Sequence, residues 1–110
     1  MFLITFRSRI KPGSRVAKEF ADVGGAYVGC YIQFKDFRVA EKIAKLLIRE
    51  RGWIPEERTD VVVLQKCKLK TKSDKELYVE ALKYGYTLAF YMWPKDAEDD
   101  VEDEEVARAR

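Results

Sequence analysis

The chain has no histidine, two cysteines and three prolines in 110 residues. Without histidine it lacks the side chain that most often serves as a general base near neutral pH and most often ligates zinc. Two cysteines cannot close a four-ligand metal site alone, and their scarcity points to a reduced protein of the cytoplasm. No apolar run approaches the roughly 18 residues of a membrane span, and no signal-peptide pattern is present. A phosphate-cradling glycine loop, a nucleophile elbow and metal-ligand spacing are also missing. These absences favour binding over turnover, so no catalytic residue, metal or cofactor is expected.

What is present suffices for one compact unit. Hydrophobic residues make up 47% and charged residues 36%, mixed in sign, which excludes a wholly disordered chain. The formal net charge of +2 conceals an asymmetry. Residues 1–94 hold 18 Lys/Arg against 11 Asp/Glu, a net of +7, while residues 95–110 hold 3 against 8, a net of −5. We therefore expect a single basic domain over 1–94 and an acidic tail over 95–110, disordered or loosely helical. The tail reads first as a solubilising segment and second as a competitor for an anionic ligand of the basic body.

Hydrophobic periodicity orders the domain. Phe2 to Ile10 alternates as a half-buried strand does, with Phe2, Ile4, Phe6 and Ile10 opposite Thr5, Arg7 and Arg9. The turn Lys11-Pro12-Gly13-Ser14 leads into a short helical turn or irregular loop ending at Gly24-Gly25. Ala26 to Phe34 is the clearest strand, with Ala26, Val28, Cys30, Ile32 and Phe34 on one face and Tyr27, Tyr31 and Gln33 on the other. Asp36 stands as the N-cap of a helix whose stripe is Val39, Ile43, Ala44 and Leu47, closed by Gly52. Trp53 to Glu57 reads as a short strand, confined by Pro55 to a sheet edge, with a turn over Glu56 to Asp60. Asp60 to Leu69 resumes as a strand carrying three consecutive valines. Ser73 and Glu76 fit a capping box ahead of a helix with Leu77, Ala81 and Tyr84 on one face, ended by Gly85. Tyr86 to Trp93 is the last strand, stopped by Pro94.

From Ala26 onward the order is strand, helix, strand, strand, helix, strand. That is the ferredoxin-like plan, a two-layer α+β sandwich with both helices on one sheet face, here with an extra N-terminal strand. Should Trp53 to Glu57 be loop, four strands with two crossovers remain. With the helices on the Val28 and Cys30 face, the opposite face stays open. It would carry Tyr27, Tyr31, Tyr91 and Trp93 among Arg7, Arg9, Lys66, Lys68 and Lys70.

Two functions fit such a face. Tyr, Trp and Arg dominate protein-interface hot spots, so the leading expectation is a non-catalytic protein-interaction module, a homodimer or other homo-oligomer joined through this face. The second is a single-stranded RNA or DNA binder whose rings stack on bases while the cations track phosphates. In layout the face resembles the platform of the RNA recognition motif, but Val61 to Lys68 lacks the glycine and aromatics of that family's third strand. A small enzyme or metal-binding protein ranks third, with Glu56, Glu57 and Asp60 as the only acidic grouping in a predicted turn. Cys30 and Cys67 fall on the inward parity and read as core thiols. The helix cations Lys42, Lys45, Arg49 and Arg51 read as a solvated outer face, and the lysines at 66, 68, 70 and 72 as a guard against edge aggregation.

Overall fold

The computed structural model describes residues 1–65, 69–95 and 105–107. The protein is an α+β fold built on a four-stranded antiparallel sheet with three helices among the described residues. The elements are β1 (Phe2–Ile10), α1 (Arg15–Glu19), β2 (Val23–Ile32), α2 (Phe37–Glu50), β3 (Trp53–Val63), α3 (Lys72–Tyr84) and β4 (Tyr86–Pro94). A further strand, β5 (Glu105–Ala107), joins the sheet outside β4, giving the order β3-β1-β2-β4-β5.

Local chemistry sets the boundaries. Asp36 caps α2 by accepting from the Arg38 and Val39 amides at 2.8 and 3.2 Å. Gly52 and Gly85 end their helices at φ 85° and 89°, a region that side-chain-bearing residues avoid. The cap of α3 is Thr71, whose hydroxyl accepts from the Asp74 amide at 3.0 Å, rather than Ser73. Both residues offer a hydroxyl three positions ahead of an acid, and the chain uses the earlier one. In α2 the buried line is Ala40, Ala44 and Ile48, with Ile43 and Leu47 partly buried beside it; of the expected stripe only Val39 is exposed. Phe34 lies beyond the end of β2 and is exposed rather than core.

Two expectations about the sheet are corrected. Trp53 to Val63 is one strand of 11 residues, with no turn over Glu56 to Asp60. Pro55 is tolerated because β3 lies at a sheet edge, and the strand is irregular there, with register shifts against β1 between Thr5 and Phe6 and between Arg7 and Ser8. At the first shift the Thr59 hydroxyl donates to the Thr5 carbonyl at 3.3 Å. The strand order is therefore not the ferredoxin-like one.

The helices also occupy both faces of the sheet. On one face α2 packs Ala40, Ala44 and Ile48 onto Ile4, Phe6, Val28, Cys30, Leu88 and Phe90. On the other, α3 packs Leu77 and Ala81 onto Tyr31 and Ala89, with Leu3 and Tyr91 beside them. The second face is thus roofed by α3 along part of its length, where an open platform was expected. Burial on both faces explains why β2 is enclosed almost throughout.

Candidate functional site

Strand pairing brings the expected ring residues together, but mostly as packing. Tyr27 pairs with Tyr91 across β2 and β4, and Tyr31 pairs with Thr87. Tyr31 is 3% exposed beneath α3 and Trp93 is 4% exposed, while Tyr27 and Tyr91 are half-buried. Trp93 lies over Gly25, which pairs with it in the register: a Cβ there would stand 2.5 Å from the ring. Its ring centroid is 5.1 Å from that of Tyr27, and the Arg7 guanidinium stands 5.1 Å from the indole. The indole N–H is buried without a hydrogen-bond partner among the described residues. Stacking a base on Trp93 would require displacing Arg7 or Tyr27.

The cations expected around the rings are dispersed. Arg7 is half-buried against Trp93, and Arg9 pairs with Glu56 at 3.3 Å. Lys70 is exposed and stands just ahead of the α3 cap. Lys66, Cys67 and Lys68 lie outside the described residues, as does most of the acidic tail. The acidic grouping Glu56, Glu57 and Asp60 is spread along an extended strand, and no group of three or more metal-ligating side chains forms among the described residues. Cys30 is buried, and desolvation pushes its thiol pKa far up, so it is protonated and unreactive as a nucleophile at neutral pH.

The most conspicuous unsatisfied surface is the outer edge of β3. Over Pro55 to Asp60 this edge is interrupted: a proline without an N–H, two register shifts and four charged side chains. Arg58 is tied back onto α2, bonding Glu41 at 2.6 Å and standing 5.2 Å from the Phe37 ring centroid. From Asp60 to Val63 the register against β1 is regular and the side chains turn apolar. Val61, Val62 and Val63 are all exposed, Val63 at 66%.

Backbone direction follows from one bond. The Leu64 amide donates to the Met1 carbonyl at 2.9 Å, continuing the register that pairs Leu3 with Val62. Peptide groups alternate sides along an antiparallel strand, so Val62 turns its amide and carbonyl toward β1. Val61 and Val63 turn theirs outward, where no described strand lies. Consecutive valines in the sequence signalled a strand former and Pro55 signalled an edge; that both belong to one edge strand came from the continuity of β3. Comparison with protein-family models, with curated proteins and with solved structures found no match.

Proposed function

We propose that the protein is a non-catalytic interaction module that self-associates by pairing the Val61 to Val63 edge of β3 with the same edge of a second copy. The observation that carries this reading is the outward peptide groups of Val61 and Val63 flanked by three exposed valines. Buried or paired, such groups contribute to stability; left bare on an apolar edge, they are a template for strand addition.

A two-fold axis through Val62 makes the edge self-complementary. In an antiparallel pair Val61 of each copy then faces Val63 of the other, and the two Val62 residues face each other. Each Val61–Val63 pair exchanges two hydrogen bonds, roughly four in all. β-branched side chains opposite one another favour that pairing. The segment is short, and strand pairing alone falls below the roughly 1,200 Å² that stable complexes bury, so the dimer is reversible and concentration-dependent. The face carrying Tyr27, Tyr31, Tyr91 and Trp93 has less support as the interface, because α3 and internal packing occupy much of it.

Sedimentation equilibrium over a concentration series tests the reading. The protein should move from 12.8 kDa toward twice that mass as concentration rises. Val63→Pro removes an outward amide without touching the β1 ladder, and Val62→Lys sets two like charges opposite each other. Both should stay folded by circular dichroism and lose self-association. A wild-type monomer at all concentrations would refute the proposal.

A further inference from the structure

The outer side of α2 carries a cationic stripe that the interaction reading leaves unused. Arg38, Lys42, Lys45 and Arg49 recur at intervals of four, three and four residues. At 100° per residue they fall within a sector of about 60° and extend for about 16 Å. The stripe lies away from Ala40, Ala44 and Ile48, which pack against the sheet. Arg38, Lys42 and Arg49 are exposed and Lys45 is half-buried. No ion pair neutralises any of the four among the described residues; nearby Glu41 is engaged by Arg58.

At its C-terminal end the stripe runs into a cleft of about 440 Å³, lined by Lys11, Arg15, Arg49 and Arg51, with Glu50 as its one acid. The cleft walls are joined by backbone: the Lys11 amide donates to the Gly52 carbonyl at 2.9 Å, and the Ser14 hydroxyl to the same carbonyl at 3.4 Å. Complementing the negative end of the α2 dipole accounts for Arg49 and Arg51. It does not account for Lys11 and Arg15, which another segment brings alongside and which add like-charge repulsion. Convergence of unpaired cations from separate segments is unfavourable for folding and favourable for holding an anion.

We infer that the α2 stripe and this cleft form a binding surface for the phosphate backbone of double-stranded nucleic acid. A span of about 16 Å matches the axial rise of about five base-pair steps of a duplex. Among the described residues, the ring beside a stripe cation is that of Phe6, 6.0 Å from the Lys45 ammonium and buried in the core, so contact is through phosphates and independent of base sequence. The apolar stripe of α2 is already buried on the sheet, which leaves the helix nothing to insert into a bilayer beyond the scattered Val39 and Leu46. This surface is separate from the β3 edge and does not depend on self-association.

The test is fluorescence anisotropy with the full chain and a labelled mixed-sequence duplex, titrated across a salt series starting near about 50 mM. Binding should weaken linearly in log[salt]. The pair Lys42→Gln with Arg49→Gln should lower the slope by about 2 and weaken binding about tenfold or more at the lowest salt. Lys72→Gln with Lys75→Gln, an equal charge change on α3, should leave affinity within about twofold, as should Val63→Pro, which addresses only the β3 edge. Melting curves establish that each variant is folded, and Lys42→Arg with Lys45→Arg should bind as wild type. The inference is overturned by absence of duplex binding at low salt, by equal losses in the α2 and α3 variants, or by tighter binding of the matching single strand. Preference for vesicles containing phosphatidylserine over the duplex would overturn it too.

Discussion

The two edges of this sheet are protected in different ways. β4 is covered over Phe90 to Met92 by β5 and ends at Pro94. β3 is defended from within, by Pro55, two register shifts and four charged side chains, and the defence stops at Asp60. Beyond it Val61 to Val63 run in regular register with no described strand outside them. An added strand satisfies the backbone groups it pairs with, whereas side-chain devices act residue by residue and leave a gap where they end. Under the proposed self-association, that asymmetry would confine pairing to the β3 edge and stop it at a closed pair.

The largest effect should come from removing the cover on β4. Truncation after Pro94 deletes β5 and leaves both edges available, so light scattering should detect species larger than a dimer, growing with concentration; a truncated chain no larger than wild type would sever the link between edge cover and assembly. Next in size is damage to the seat of β4 itself. Gly25→Ala forces a methyl into the Trp93 ring, and chemical denaturation should show a loss of about 2–3 kcal/mol.

Alkaline pH acts on the shared core between the edges. The folded Cys30 thiol has its pKa raised by burial, so the neutral form is retained in the folded state while the unfolded chain ionises above about pH 8.5. The stability contribution of this thiol is therefore complete below that pH and declines above it, by about 1.4 kcal/mol per unit. Urea titrations at pH 7.5 and 9.5 should show this decline in wild type and a smaller one in Cys30→Ala. The smallest effect concerns the defended half of β3. Arg58→Ala removes a partly exposed contact with Glu41 and Phe37, and thermal melting should register a loss of about 0.5–1 kcal/mol with self-association intact.

Much of this architecture was legible in the sequence, and the exceptions share a cause. The alternation of Phe2 to Ile10 gave β1 as observed, and Asp36, Gly52 and Gly85 marked helix ends where the chain places them. Parity along β2 and β4 separated the two sheet faces correctly. It could not say which helix covers which face. α3 buries only Leu77 and Ala81, a narrow stripe that reads the same whichever face it meets. Tyr31 consequently looked like part of an open platform when, with Ala89, it is the floor beneath that helix. The continuity of β3 was hidden for a related reason, since Pro55 and the charges after it imitate a turn when the strand order is unknown. Of the candidate site residues, parity placed Arg7, Tyr27 and Trp93 together, and they do touch. Pro55 marked the first half of β3 as an edge strand; that Val61 to Val63 share this edge was hidden because Glu56 to Asp60 read as a turn between two strands.

The central claim is that Val61 to Val63 join two copies through outward backbone groups. Sedimentation equilibrium of wild type beside Val62→Lys, at matched concentrations and at low salt where the introduced charges are least screened, tests it most directly. The account predicts a wild-type mass rising toward twice 12.8 kDa and an association constant at least about tenfold lower in the folded variant. A wild-type protein that stays at 12.8 kDa, or a folded variant that dimerises as well as wild type, would contradict it.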